Sequence, residues 1–470
     1  MYPEFDVIVV GAGTAGIPAA LGAVERGLKV ALVEAAADIG GTLHLSSASI
    51  SAGGTDLQRR AGIADSAQDH FTDALRINHG TGDHVLLRKW TEEAGPMVDW
   101  LESIGWTCMD GVPHFAPEHD LYNVERTYRS TNAGIEVLDA FRRELARVEP
   151  TGLLTLMLET RFTDLVTRNG RVTGILADTP LGPVSLSAQS VILTTGGFSG
   201  SARHWQELHG HVPLRYHVET VRGDALDPVR AAGGSVWFTE YCLPAFGGTR
   251  TLDSKASAWI HSDVLPTRRP PWEIYVNERG ERFMPEDEMS IDARERAVMA
   301  QPNWAFWIVW DEAIRKASKP LFRWPAETVE ALFAGEGGED FVVAGSVEEL
   351  AERTGMPEGA LRTTIELYNR GQAVGSDMFR RKHMPAPIAE APFYAVRHYG
   401  CSISCYPGIK VDEDLRVVRA DGSPIEGLYA AGEVIGIGFL GHGFLSGSIV
   451  SSAITFGRKL GREVPAKVPA

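Results

Sequence analysis

Several side chains near the carboxyl end are of types that move protons. Tyr406 follows Cys405 and precedes Pro407-Gly408, a turn sequence. His442 and Ser446 lie in the glycine-rich run Gly441-His442-Gly443-Phe444-Leu445-Ser446-Gly447. A phenol or imidazole placed there suits proton transfer at carbon. A phenol with its usual pKa of about 10 needs a cation or a donor beside it to act as a base. His398, Tyr128 and Arg126 are weaker candidates, and His261 and Arg294 are candidates for a proton route. Each also reads as an ordinary packing or turn residue. Cys401 and Cys405 raise the alternative of a dithiol relay beside a redox cofactor. Cys-Ser-Ile-Ser-Cys spaces its thiols by three residues, however, and reads equally as two buried thiols. With no further ligands nearby, no metal site is expected.

Such residues need elements that hold an electron carrier beside them. Asp6-Val7-Ile8-Val9-Val10-Gly11-Ala12-Gly13-Thr14-Ala15-Gly16 reads as strand, glycine turn and helix start. Gly11 allows the tight turn, Gly13 lets a pyrophosphate approach the backbone, and Gly16 lets helix and strand pack closely. Thr14 and Ala15 belong to the same turn. Pro18 falls in the first helical turn, where its missing N–H costs little. Glu34 ends the second strand, Leu28 to Val33, where a carboxylate can accept from both hydroxyls of an adenosine ribose. A dinucleotide site follows. Gly40-Gly41-Thr42 and the small residues through Thr55 suit close passage of backbone by a flat ring system. Thr194-Thr195-Gly196-Gly197 closes a further hydrophobic strand, and Asp224 lies near the start of a helix. Gly427 to Val434 holds Gly432 and Glu433, and a small-residue helix opens at Ser448-Ile449 with free N–H donors. Two distant chain ends built for one ligand favour a long cofactor, FAD rather than a transient NAD.

The 470 residues exceed one ordinary core, so two domains are expected. The formal charge of −16 argues against nonspecific nucleic-acid binding and against docking on anionic lipid. No apolar run suits a membrane span, and a strand that begins directly after Met1-Tyr2-Pro3-Glu4 leaves no room for a leader. Four cysteines in so long a chain do not suggest a disulfide scaffold. A cytoplasmic location is the expectation.

In chain order, helices are expected over Ser66–Ile77, Gly82–Ile104 and Gly134–Val148. Strands follow over Leu153–Val166, Val172–Asp178, Val184–Leu186 and Ser190–Leu193, with a hairpin turn at Arg168-Asn169-Gly170-Arg171. From about Gly234 tryptophans and prolines concentrate, and Ile274 to Phe283 reads as a hairpin. The expected division is a cofactor domain from 1–233 and 386–470, with an inserted domain over 234–385.

Gly11 to Gly16, Gly40-Gly41-Thr42, Thr194 to Gly197 and Gly427 to Val434 together resemble the fumarate reductase and 3-ketosteroid dehydrogenase superfamily of flavoproteins. Gly53-Gly54-Thr55-Asp56 looks closer to the ketosteroid branch, and Ile274 to Glu286 resembles the family's capping segment. The resemblance implies an α/β fold: a Rossmann-like FAD-binding domain of the glutathione-reductase type with an inserted α+β capping domain. It further implies an oxidoreductase acting on a CH–CH or C=C bond beside a carbonyl, with a small carbonyl substrate and an external electron acceptor or donor. In dicarboxylate reductases an arginine of the C-terminal glycine loop grips a substrate carboxylate; the matching residue here is Phe444. Their proton-donating arginine matches Ser290 to Asp292, with Arg294 nearby in a shifted register. In the ketosteroid enzymes a backbone N–H matching Gly447 helps hold a carbonyl, with Ser446 beside it. A cyclic ketone or steroid-like substrate is therefore expected. The alternatives are a fumarate-reductase-type reductase of an unsaturated acid and a flavoprotein electron-transfer subunit. The covalent-histidine position of the succinate enzymes matches Thr42, so no covalent flavin link is expected.

Overall fold

A computed structural model describes residues 4–117, 119–252, 254 and 256–466. Its first sheet is built on parallel strands. β1 (Phe5–Val10) lies beside β2 (Val30–Val33), which lies beside β3 (Leu154–Met157). On the other side of β1 runs β4 (Gly182–Leu193), followed by the strand Pro424–Ala430. The unbroken Val-Ile-Val-Val and Val-Ala-Leu-Val runs are buried throughout, as parallel strands covered on both faces require. The glycine turn after β1 leads into α1 (Gly16–Glu25).

The last helix, Ser448–Glu463, packs on α1. A Cβ on Gly457 would lie 2.1 Å from the Ala15 carbonyl, and one on Gly461 equally close to that of Ala19. The matched order of these contacts makes the two helices run in the same direction. Ser448 therefore lies about two and a half turns ahead of α1's start, over the glycine turn.

The second sheet includes β5 (Ala245–Arg250), β6 (Ile274–Val276), β7 (Ala305–Asp311), β8 (Phe341–Ala344) and β9 (Phe393–Ser402), with the short strands Leu214–Arg215 and Ala258–Ile260 at its margins. β9 is its spine and pairs antiparallel with β5, β7 and β8. Every residue of β7 is buried. Helix α2 (Ile291–Met299) starts at Ser290, whose hydroxyl accepts from the Ala293 N–H at 3.2 Å.

Sheet membership draws the border differently from the expected 234–385: β9 and the short strand Leu214–Arg215 both pair within the second sheet. Leu153–Val166 is two strands rather than one, because Glu159 takes φ +48° between Leu154–Met157 and Arg161–Arg168. Val184–Leu186 and Ser190–Leu193 are one long strand, whose first half joins the hairpin that turns at Asn169-Gly170 and whose second half joins the parallel sheet. The expected hairpin at Ile274–Phe283 reduces to one bridge, Val276 to Arg282; Asn277 Oδ1 accepts the N–H groups of Arg279 and Glu281, and β6 pairs with β7 instead. Among the described residues no helix is long and apolar enough to cross a membrane, and no cluster of metal-ligand side chains occurs.

Candidate active site

The glycine turn, the end of β2, the end of β4 and the start of the last helix face one cleft. Gly11, Gly13, Thr14, Ala15, Glu34, Gly41, Thr42, Thr195, Gly196, Asp224, Gly432, Glu433 and Ile449 all line it. Gly16 and Ser448 do not. A Cβ on Gly16 would lie 1.7 Å from the Gly11 carbonyl, so this glycine serves the strand–helix contact. The Ser448 hydroxyl donates to the Leu445 carbonyl at 2.7 Å and ties the loop to the helix start.

The cleft suits a dinucleotide on three counts. A Cβ on Gly13 would meet nothing within 4 Å, so the turn faces open space beside helix N–H groups. The Glu34 carboxylate is locked at the end of β2, accepting the Ala12 N–H and the Ala36 N–H, each at 2.8 Å. Thr195 Oγ1 is buried on the cleft wall with no hydrogen-bond partner, and such a group calls for a ligand. Glu433 is half-buried, and desolvation pushes its carboxyl up to about 7, opposed by the Cys405 N–H that it accepts at 2.8 Å. Asp224 pairs with Arg161 at the rim.

Ahead of this cleft, the last helix's overhang meets the Ile50–Ala52 segment. Gly447 takes φ +75°, and a Cβ there would press within 2.8 Å of Ile50 C and Ser51 N. Its carbonyl accepts the Ser51 N–H at 3.1 Å. Ser451 Oγ donates to the Ser51 carbonyl at 2.6 Å and accepts from Trp90 Nε1 at 2.9 Å. Tyr122 donates to the Ser446 carbonyl at 3.1 Å. The Tyr128 hydroxyl bonds Thr55 Oγ1 at 2.7 Å, so Tyr128 ties loops together. Arg126 is consumed by Asp65 and Asp73, at 2.7 and 2.9 Å.

The glycine loop is pinned from the other side by Asn78 Nδ2, which donates to the Leu440 carbonyl at 2.8 Å, and by Thr81 Oγ1, which accepts the His442 N–H at 2.7 Å. His442 Nε2 lies 3.0 Å from the Cys242 carbonyl, an acceptor, so the proton sits on that nitrogen and Nδ1 is left as the acceptor. Nδ1 faces Arg296 Nη1 at 3.5 Å. Burial first, and then Arg296, push the imidazole pKa down. Both ring nitrogens are thus committed to the protein, and His442 positions rather than accepts. Its ring stacks on Tyr241 at 4.9 Å and meets the Tyr406 ring edge-on at 6.0 Å. Tyr406 is buried and its hydroxyl has no partner among the described residues. Desolvation, followed by the nearby Glu295, drives its pKa well above the ordinary phenol value.

Three expectations need correction. Arg294 does not reach the site: it is fully buried in the cap, donating to the carbonyls of Glu286 (2.8 Å) and Val264 (2.9 Å), with its guanidinium 4.1 Å over the Phe246 ring. Two residues on, Arg296 lies on the other side of α2 and bonds the His442 carbonyl. Asp292 clamps it at 2.8 and 2.9 Å and also meets the exposed His79 at 3.2 Å. Glu295 was likewise missed; it is buried, makes no hydrogen bond or ion pair among the described residues, and desolvation together with Asp292 holds its carboxyl well above the usual range. His261 and His398 lie together inside the cap, rings 5.7 Å apart, with Phe322 packed against both. The dithiol relay fails. Cys401 packs on Gly248 within the second sheet, whereas Cys405 Sγ accepts the Phe198 N–H at 3.2 Å beside Glu433; all four cysteines are free, and burial pushes the Cys401 thiol up to about 12. Asp292 at four residues before Arg296 is the ion-pair spacing that could have pointed to the right arginine.

A family model described as FAD binding domain matches residues 6–450. The NADH:fumarate oxidoreductase of Klebsiella pneumoniae (strain 342) is 30% identical over 468 residues, 98% of this chain; the chain spans 47% of that protein's length. The 3-oxosteroid 1-dehydrogenase of Mycolicibacterium smegmatis (strain ATCC 700084 / mc(2)155) is 25% identical over 572 residues, 99% of this chain and 98% of that one. Among solved structures, the open conformation of a flavocytochrome c3 fumarate reductase matches with a TM-score of 0.74 and 28% identity, over 98% of this chain and 78% of the other. Overall likeness thus reaches both branches and does not by itself choose between them. The chain belongs to the FAD-binding family of oxidoreductases that contains the fumarate reductases and the 3-ketosteroid dehydrogenases.

Proposed function

We propose that the chain, with FAD bound, makes or removes a C–C double bond beside the carbonyl of a neutral, ring-type ketone. The observation that carries this reading is the state of the arginines around the glycine loop. Arg296 spends its donors on Asp292 and the His442 carbonyl, and Arg126 spends its own on Asp65 and Asp73. Phe444 stacks on His119 at 3.9 Å. A dicarboxylate would surrender its hydration to guanidinium groups already neutralised, which costs several kcal/mol. A neutral ketone needs only N–H donors and an apolar wall.

FAD would be held by Glu34 at the ribose end, by the Gly11–Gly16 turn at the pyrophosphate, and by Thr195 and Glu433 further along; its flavin supplies hydride acceptance or donation. The Gly447 N–H, at the positive end of a helix, and the Ser446 hydroxyl polarise the carbonyl, which stabilises charge building on its oxygen. Tyr406 carries the proton: its raised pKa keeps the phenol protonated and suits it to donate to the carbon beside the carbonyl when the double bond is removed, whereas making the bond requires the phenolate, which burial disfavours. His442 and Arg296 fix the loop's orientation, and Asp292 with His79 connects Arg296 to solvent. An external electron carrier completes the cycle.

Anaerobic absorbance of the flavin tests the reading. Cyclic ketones should bleach the oxidised holoprotein, or cyclic enones reoxidise the reduced one, while succinate and fumarate have no effect. Response to the dicarboxylate pair alone overturns it. The 30% identity to a fumarate-reducing relative keeps a reductase of unsaturated acids as the second reading, and the same experiment separates the two.

A further inference from the structure

The cap holds a second cavity, of 550 Å³, lined by none of the residues placed at the flavin or the glycine loop. That size falls within the roughly 300–1,000 Å³ of small-molecule sites. Its walls are aromatic. Trp310 of β7 and Tyr394 of β9 lie parallel, 5.7 Å apart and 11° from coplanar. Phe333 stands edge-on to both, at 6.0 and 5.2 Å. On another wall Phe322 and Trp324 stack at 5.1 Å. Helix Ala326–Ala331 closes one side with Val329.

The polar groups of the lining narrow the ligand. Arg269 and Glu273 form an ion pair with side chains only 5% and 2% exposed, and Arg269 also donates to the Lys319 carbonyl at 2.8 Å and to Ser318 Oγ at 3.3 Å. Arg315, also on the lining, is engaged by Glu312 at 2.6 Å. These charges are cancelled within the protein, and the remaining charge on the lining is the carboxylate of Glu330 at its exposed side, so an anionic ligand would enter without a counter-ion. Trp310, in contrast, is 7% exposed and its indole N–H makes no hydrogen bond among the described residues. An indole N–H on the cavity wall with no partner of its own is the donor that a ligand oxygen would take.

We propose that this cavity binds a neutral, flat, multi-ring compound bearing a carbonyl or hydroxyl oxygen, taken between the aromatic walls with its oxygen on Trp310. The site is separate from the reacting one and does not depend on the ketone reading above.

The test uses the FAD-loaded protein and the neutral naphthalene ketone prodan, whose emission shifts to the blue in apolar surroundings. A saturable, blue-shifted emission that Tyr406→Phe leaves in place is expected. Val329→Trp, which fills the space from a peripheral helix, should weaken binding by about tenfold or more, as should Phe333→Ala, which removes a wall. Trp310→Phe keeps a ring but loses the donor and should weaken it by about threefold to tenfold. Flavin content should be unchanged in each. Absence of saturable binding overturns the proposal. So does an affinity unmoved by both Phe333→Ala and Val329→Trp, and so does loss of binding in Tyr406→Phe, which would place the probe at the flavin instead.

Discussion

Arg296 on the cap helix bonds the backbone carbonyl of His442 in the C-terminal glycine loop, and its Nη1 lies 3.5 Å from the ring Nδ1. One guanidinium thus joins the cap to the loop that ends at Gly447. Removing it should lower turnover without loosening the flavin. Arg296→Met is expected to cut turnover by about tenfold or more, since Asp292 then faces the loop uncompensated. His442 should respond as well. Arg296 helps hold its pKa down, so the variant should show a new ionisation in its pH profile, moved up toward the ordinary value of about 6.5.

Arg294 gives the matching control. Arg294→Met leaves the buried carbonyls of Glu286 and Val264 without their donor, which costs about 2–4 kcal/mol of stability. Turnover per folded flavoprotein should stay unchanged, and so should the pH profile. Urea unfolding beside steady-state rates reads both; a rate loss at full stability would reverse the assignment of the two arginines.

The pair also shows what the sequence could and could not deliver. The strand–turn–helix around Gly11 to Gly16 and the place of Glu34 at the end of β2 were legible because they are local: a turn, a helix start and a strand end, all fixed by neighbouring residues. Ser66 and the helix after it were legible for the same reason, a cap followed by a periodic apolar face. The inward side of α2 was not. Residues 294 and 296 lie about 200° apart on a helix, and which one meets the glycine loop depends on how the second sheet seats on the first. Composition hid the cap's border too, because β9 continues a strand pattern that looked like the returning cofactor domain, yet it pairs with β5, β7 and β8. Glu295 and Trp310 become visible as unpartnered groups only after every neighbour has been placed.

Cys405 should prove dispensable as a thiol. Its sulfur accepts the Phe198 N–H at 3.2 Å, burial and the nearby Glu433 hold it protonated, and Cys401 is committed to the second sheet. A serine can accept the same N–H. The double variant Cys401→Ser/Cys405→Ser should retain its flavin and keep turnover within about twofold, since no thiolate is there to be lost. A collapse of turnover with flavin retained would restore the dithiol relay.

Glu295 should weaken the fold as pH rises. Its carboxyl is held well above its unfolded value of 4.5 by desolvation, so the native state binds a proton that the unfolded state has released. The stability it contributes is present below pH 4.5 and is lost as pH climbs toward the folded pKa. Glu295→Gln keeps the shape and removes the ionisation. The variant should be more stable than the parent at pH 7.5, by about 1.4 kcal/mol for each unit between 4.5 and the lower of that pH and the folded pKa, and the gain should vanish near pH 4.5. Urea midpoints at several pH values measure it, and a gain that does not depend on pH would remove the carboxyl from the account.

His398 predicts the opposite slope. It is fully buried among Phe306, Phe322 and His261, its Nε2 has no partner, and desolvation holds its pKa well below 6.5. The folded protein therefore keeps the ring neutral where the unfolded chain takes up a proton. Its share of stability is complete above pH 6.5 and is lost as pH falls from there toward the folded pKa, at about 1.4 kcal/mol per unit. His70, buried against Trp90 and Tyr122 and likewise held low by burial and then Arg126, acts in the same direction. Replacing His398 by Phe, which suits the aromatic surroundings, should flatten the acid limb of the stability profile by one proton and leave His70 to account for what remains. Equal acid sensitivity in parent and variant between pH 7 and 5.5 would show that the ring is charged in the native cap, and its aromatic neighbours would then need another explanation.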